Sequence, residues 1–152
     1  MKEKRRRVRV VESYTASNPD PLNVRMGEKV TLGKRDDEWP GWIWCTDARG
    51  QSSWIYESLL QIAGDHALMK EDYDATELTV SEGEELTVLR SVGGWLLCET
   101  ENGEKGWIPE KNATPLWTYL EIIRFQIRDA AAKHSRAKCA RNVFSKRTSS
   151  LR

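Results

Sequence analysis

One stretch of the chain occurs twice, and it limits the possible folds more than any other feature. From Trp42 the sequence reads WIWCTDARGQSSWI, and from Trp95, 53 residues later, it reads WLLCETENGEKGWI. In each copy an apolar run with Trp and Cys meets a polar turn containing Gly and then a Trp-Ile pair. This is the pattern of a β-hairpin with one half-buried face. The chain of 152 residues is therefore predicted to be a tandem repeat of a small β unit.

Alternating apolar residues and turn residues predict the strands around each hairpin. Further strands are predicted at 8–14, which leads into the first repeat (residues 10–63), and at 22–26, 30–32 and 60–62, with a single tight turn at 56–60. The second repeat, residues 65–115, restarts after the short linker Gly64-Asp65. It lacks three residues in each of two loops, where a change of length costs little. The fold class is therefore predicted to be mainly β.

The formal net charge is +1, but the charges are unevenly distributed. Residues 1–10 carry +5, residues 11–123 carry −12 and residues 124–152 carry +8. This distribution indicates an anionic partner for two basic arms, simple solvation of the arms, or arms that fold back on an acidic body. For residues 1–9 we expect a disordered, solvated arm, with nucleic acid or another polyanion as the functional alternative.

Beyond Pro115 the pattern changes from strands to a helix. Apolar residues recur at helical spacing: Leu116, Leu120, Ile123, Ile127, Ala130 and Ala131. They predict a basic amphipathic helix over 116–139, followed by a disordered tail over 140–152. The apolar stripe would bury Trp117, Leu120 and Ile123 by docking on a repeat or pairing with another chain. Alternatively, the basic face would meet nucleic acid, an anionic membrane surface or the protein's own acidic body.

The cysteine and histidine content excludes several classes of site. Cys45 and Cys98 occupy equivalent repeat positions and are expected to be buried in separate cores, while Cys139 lies in the tail. No disulfide framework, signal peptide or membrane-spanning segment is predicted, and a cytoplasmic protein is expected. With only two histidines and no nucleophile beside a base, we expect no catalytic residue, metal site, cofactor or small-molecule substrate.

Several motifs in combination resemble one known family. The motif L-x-[VF]-x-x-G-[ED] occurs at Leu22 to Glu28 and at Leu78 to Glu84. In each repeat a Trp precedes a small core residue by three positions, and a G-x-x-[GS]-aromatic-Ile motif closes the unit. Each repeat thus resembles a Src-homology-3 (SH3) domain, and the chain resembles the stand-alone double-SH3 proteins of bacteria and archaea. The resemblance covers residues 8–114 and implies two tandem SH3-like five-stranded β-barrels before the helix.

The resemblance implies a non-catalytic adaptor that binds a short extended peptide of another protein, of the proline-rich kind that the family recognises. It assigns the peptide site to Tyr14, Asp20, Trp42 and Tyr56 in repeat one and to Tyr73, Asp74, Glu77, Trp95 and Pro109 in repeat two. Tyr56 stands where the family has Pro, and Leu59 and Asn112 stand where it has a second Tyr.

The remaining tryptophans are assigned separately, and a second function stays open. Trp44, Trp54 and Trp107 are expected to pack in the cores, although alternation puts Trp42 and Trp44 on one face of their strand and leaves open which of them is at the surface. Trp39 is a candidate cover for the groove. The alternative function is a nucleic-acid-associated protein whose barrels are scaffolds and whose basic arms bind.

Overall fold

The computed structural model describes residues 5–117 and 119–147. The strands are β1 (Arg7–Val10), β2 (Asn23–Val24), β3 (Lys29–Arg35), β4 (Trp42–Thr46), β5 (Ser52–Tyr56), β6 (Leu60–Ala63), β7 (His66–Met69), β8 (Tyr73–Asp74), β9 (Glu85–Val92), β10 (Trp95–Glu99), β11 (Lys105–Pro109) and β12 (Ala113–Pro115), and the helix is α1 (Tyr119–Arg147). The protein is mainly β, with a C-terminal helix, as predicted. The chain divides into two compact units after Leu116.

The repeated stretch forms the predicted hairpin in each repeat. In the first, β4 and β5 are antiparallel and pair Trp42 with Tyr56 and Trp44 with Trp54. In the second, β10 and β11 pair Trp95 with Pro109. The predicted tight turn is also confirmed, as a short 3-10 turn at Glu57–Leu59.

Each five-stranded sheet takes one strand from the other repeat. The first sheet has the order β5-β4-β3-β7-β6, so four strands of repeat one enclose the opening strand of repeat two. The second sheet has the order β11-β10-β9-β1-β12, so the opening strand of repeat one lies among four strands of repeat two. The repeats 10–63 and 65–115 are thus units of sequence that exchange their opening strands in space.

The exchanged strands are paired on both sides. In β1, Val8 lies opposite Leu86 of β9 and Pro115 of β12. In β7, Leu68 lies opposite Lys29 of β3 and Gln61 of β6. Because β12 joins its sheet through β1, the second sheet is incomplete without the N-terminal strand.

The segments that cross between the sheets run beside each other. Residues 11–28 lead from β1 to the first sheet, and residues 70–84 lead from β7 to the second. Val24 pairs with Tyr73 in the small β2–β8 ladder, and Tyr14 forms an isolated bridge with Val80. The strand predicted at 22–26 is only two residues long, because Glu28 donates its backbone N–H to the Arg25 carbonyl and closes a turn.

Two separate cores follow from this exchange. Cys45 lies in the first and Cys98 in the second, both fully buried, which confirms the prediction for the two cysteines. The first core also contains residues of repeat two: Ala67, Met69, Tyr73, Ala75 and Trp107. The second core contains Val8 and Val10 of repeat one.

The prediction of a disordered basic arm over 1–9 is wrong for Arg7 to Arg9, which belong to β1. Residues 1–4 lie outside the part of the chain that the structure describes. Val8 and Val10 alternate with the arginines and are buried, so the strand gains apolar burial. Arg9 Nη2 lies 2.8 Å from Glu85 Oε1, and Arg5 Nη1 lies 3.5 Å from Glu99 Oε2. The arm therefore folds back on the acidic body, which is one of the alternatives that the charge distribution left open.

The helix α1 begins three residues later and ends eight residues later than the predicted 116–139. The prediction of disorder is wrong for 140–147, where Ala, Arg and Lys favour helix, and residues 148–152 lie outside the described part. Trp117 and Leu120 are 59% and 66% exposed. Within the described residues, no helix has both the length and the apolar character needed to cross a membrane.

Candidate functional site

A cleft of about 730 Å³ lies where the two repeats meet. Eight aromatic residues line it: Tyr14, Trp39, Trp42, Trp44, Trp54, Tyr73, Trp95 and Trp107. They come from both repeats. Tyr14 follows the exchanged strand β1 and Tyr73 follows the exchanged strand β7, so each of these tyrosines lies beside the sheet of the other repeat. The cleft is therefore a composite of surfaces that the sequence predicted as two separate grooves.

One end of the cleft is built around Trp95. The Tyr14 ring meets the Trp95 ring edge-on at 5.9 Å between centroids, and the Trp39 ring is tilted against it at 6.4 Å. The bridge between Tyr14 and Val80 fixes the first ring, and the N–H of Trp39 donates to Asp36 Oδ1 at 2.8 Å. A residue of repeat one thus sits on each side of a repeat-two Trp.

Glu77 orders this end of the cleft. The Tyr14 hydroxyl donates to Glu77 Oε2 at 2.7 Å, and the backbone N–H of Ser17 donates to the same oxygen at 2.7 Å. Burial, and then the hydrogen bond and negative charge of Glu77, raise the pKa of Tyr14 to about 12. The carboxylate therefore ties the crossing segment of repeat one to repeat two.

Alkaline pH is expected to destabilise the protein. Besides Tyr14, burial raises the pKa of Tyr73, that of Cys45 to about 12 and that of Cys98 to about 11. The folded state holds these protons more tightly than the unfolded chain, whose ordinary values are about 9 for Cys and 10 for Tyr. Stability should therefore be complete below pH about 9 and fall up to about 12. Urea denaturation across this range measures the slope.

Tyr14→Phe is the informative variant for this test. Its free energy of unfolding at neutral pH should be lower than that of the parent, because the hydrogen bond to Glu77 is gone. Above pH about 10 its free energy of unfolding should fall less steeply with pH than that of the parent. A free energy of unfolding that is flat from pH 9 to 12 in both proteins would contradict this account.

The side chain of Trp42 is buried and is not accessible to a peptide ligand. Its side chain is 5% exposed, and its Nε1 donates to the carbonyl oxygen of Gly93 at 2.8 Å. The Trp42 ring also packs edge-on against Tyr56 at 5.4 Å and against Trp95 at 6.3 Å. The turn after β9 in repeat two therefore covers the surface that the family resemblance predicted as the groove of repeat one.

Trp44 and Trp54 are site candidates that sequence reasoning assigned to the core. Both are half-buried and line the cleft, with ring centroids 5.2 Å apart. Strand β4 buries Ile43 and Cys45 on its inner face, so Trp44 lies on the outer face opposite Trp54. The alternation of this strand contained the signal, since it places Trp42 and Trp44 on one face.

The equivalent Trp of repeat two is in a different environment. Trp107 is buried, its Nε1 donates to the Asp74 carbonyl at 2.9 Å, and its ring lies 6.0 Å from Tyr73. This confirms the prediction that Trp107 packs in a core. The internal symmetry of the repeats is thus broken, and Trp54 is the more accessible member of the pair.

Acidic and amide groups line the polar side of the cleft. Asp36, Glu38 and Glu77 line it, and Asp20 accepts a hydrogen bond from Gln51 Nε2 at 2.8 Å. The one cation in the lining, Arg49, donates from Nε to Asp47 Oδ2 at 2.8 Å. The lining therefore carries a net negative charge and suits a cationic ligand group beside aromatic rings.

The nine sequence-predicted site residues divide into two groups. Six line the cleft: Tyr14, Asp20, Trp42, Tyr73, Glu77 and Trp95. Asp74 instead accepts hydrogen bonds from the backbone N–H and hydroxyl of Thr76 and closes a local turn. Pro109 is buried at the end of β11, and Tyr56 packs beneath the Gly93 turn. Among the described residues, no cluster of three His, Cys, Asp or Glu side chains is arranged to hold a metal.

The sequence profile of one family, described as a variant SH3 domain, matches the chain twice, over residues 7–63 and 70–115. The chain belongs to the SH3 domain family. SH3 domains are non-catalytic modules of protein interaction that bind peptides, commonly proline-rich ones. No curated protein matches the sequence. The first SH3 match includes β1 and the second begins after β7, so the matched segments follow the repeats in sequence, whereas the sheets exchange strands.

Proposed function

We propose that this tandem SH3 protein is a non-catalytic adaptor that binds one extended peptide of a partner protein in the composite cleft. The observation that carries the proposal is the cleft itself, in which the half-buried rings of Trp39, Trp44, Trp54 and Trp95 lie beside acidic groups. Aromatic rings bind the apolar faces of an extended backbone, and carboxylates bind a neighbouring Lys or Arg side chain.

The arrangement supports one peptide per chain rather than two. The Trp42 surface of repeat one is covered by Gly93, and Trp107 of repeat two is buried. The rings that stay accessible are those of the composite cleft, with Trp95 near one end and the Trp44–Trp54 pair lining it. A ligand that reached both groups of rings would contact both repeats at once.

The N-terminal arm gives less support to the nucleic-acid alternative. Arg7 Nη2 lies 3.1 Å from Glu85 Oε2, and Arg5 and Arg9 also pair with glutamates of repeat two. Phosphate binding would have to replace these pairs. The cleft and the arm therefore both favour peptide binding.

A peptide array followed by calorimetry on the full chain tests the proposal. Extended peptides with a basic residue beside prolines should bind with a stoichiometry of one. Trp95→Ala and Trp54→Ala should each weaken the selected peptide by about tenfold or more, since buried Trp contacts dominate such sites. Trp117→Ala, which removes an exposed ring outside the cleft, is the matched control and should bind like the parent.

A milder variant guards against loss of folding. Glu38 is exposed and lines the cleft, so Glu38→Gln with Asp20→Asn should keep the fold and weaken basic peptides selectively, with a smaller salt dependence. Two equal sites per chain, or undiminished binding in both Trp variants, would refute the composite site.

A further inference from the structure

Exposed apolar side chains are concentrated at the start of the helical unit. The described residues include nine large hydrophobic side chains that are exposed, and five of them lie within residues 117–127. Trp117, Leu120, Phe125 and Ile127 are each 59–66% exposed. Exposed apolar side chains that share one face of a helix mark an interaction surface rather than ordinary surface composition.

A strongly basic segment follows at once. Residues 128–147 contain seven Lys or Arg residues and one acidic residue, Asp129, for a net charge of +6. The helix α1 runs without interruption from Tyr119 to Arg147 and therefore joins the apolar and basic segments into one element. Leu120, Ile123 and Ile127 share one face of it, with Arg124 and Arg128 beside them.

We propose that α1 binds the surface of an anionic lipid bilayer. Leu120, Ile123 and Ile127 would enter the boundary between headgroups and acyl chains, and the basic segment would lie over anionic headgroups. Arg124 and Arg128 can keep their guanidinium groups at headgroup level while their stems lie along the apolar surface. Two weak signals, an apolar anchor and a polybasic segment, together give reversible membrane attachment.

Other occupants fit this element less well. Nucleic acid would pair with the basic segment, but it would leave Leu120 and Ile127 in water. A second copy of α1 aligned in parallel would bring together two segments of net charge +6, which repel each other. An anionic bilayer satisfies the charge and the apolar surface at once.

Vesicle co-sedimentation of the full chain tests the proposal. Binding is expected to phosphatidylcholine vesicles that contain phosphatidylglycerol and not to phosphatidylcholine alone. It should fall by about tenfold or more when the salt concentration rises from about 0.1 M to about 0.5 M. Leu120→Ser with Ile127→Ser should weaken binding to the anionic vesicles by about tenfold or more.

Matched controls separate this surface from the rest of the molecule. Ile62→Ser with Leu68→Ser removes two other exposed apolar side chains, which are 44% and 42% exposed on the first sheet, and should leave vesicle binding unchanged. Trp54→Ala, in the peptide cleft, should also leave it unchanged. Circular dichroism in each variant checks that helix content is preserved.

Three results would overturn the proposal. The first is equal binding to neutral and anionic vesicles, and the second is undiminished vesicle binding in the Leu120→Ser, Ile127→Ser variant. The third is tighter binding to duplex DNA than to anionic vesicles, with no effect of that variant. Each of these results would leave the peptide proposal standing.

Discussion

A fragment of residues 10–63 is expected to be unfolded, although it covers nearly all of the first SH3 match. It lacks β7, so β3 and β6 lose the strand that lies between them. It also lacks Ala67 and Met69, both buried in the first core. Loss of one buried Met-sized side chain costs about 2–5 kcal/mol. The whole stability of a domain is about 5–15 kcal/mol, so the fragment cannot compensate.

Extending the same fragment to residue 70 is the decisive comparison. The longer fragment restores β7 and the order β5-β4-β3-β7-β6, and it should show a cooperative thermal transition by circular dichroism that the shorter one lacks. A fragment of residues 5–117 should unfold cooperatively at a higher temperature. If residues 10–63 and 10–70 unfold cooperatively with the same midpoint, then the strand exchange is wrong.

Gly93→Ala is expected to destabilise the protein by about 3 kcal/mol or more. Gly93 has φ +52°, and an added Cβ would lie 2.6 Å from Trp42 Nε1 and 2.6 Å from Tyr56 Cδ2. These contacts are too short for the packed rings to absorb without displacing the turn. The hydrogen bond from Trp42 to the Gly93 carbonyl would then be lost, and the Trp95 end of the cleft would shift.

Gly103→Ala provides the matched control for backbone strain. Gly103 has φ +85°, but a Cβ there would meet nothing within 4 Å. It should therefore cost about 1–2 kcal/mol, the strain alone. Urea unfolding of both variants gives the difference. Equal losses of stability would mean that the Gly93 turn does not pack on Trp42 and Tyr56 as described.

The hairpins were predictable from sequence, and one clue to the exchange was present but misinterpreted. The sequence predicts Gly64-Asp65 as a linker between the repeats. A two-residue Gly-Asp connection between two apolar strands is, however, also typical of a hairpin turn. Gly64 has φ +68°, and Ala63 pairs with His66 across it. A hairpin at this point places β6 and β7 in one sheet, so the opening strand of repeat two cannot join its own repeat.

Pairing partners in general could not be read from the sequence. Val8 and Val10 alternate with arginines, and Ala67 and Met69 lie on either side of Leu68. Such spacing predicts which face of a strand is buried but not which strands lie beside it. The same limit applies to the site. A comparison with single SH3 domains predicts an open Trp42, because the Gly93 turn that covers it belongs to the other repeat.

The position of β1 also determines the order in which the protein can be completed during synthesis. The strand is translated before both of its neighbours, since Glu85, where β9 begins, and Ala113, where β12 begins, follow Val10 by 75 and 103 residues. The first sheet, whose last strand ends at Met69, can close while β1 is still unpaired. The arginines that alternate with Val8 and Val10 therefore serve a second purpose. Their positive charges disfavour pairing of the unpaired β1 strand with other chains before β9 and β12 are made.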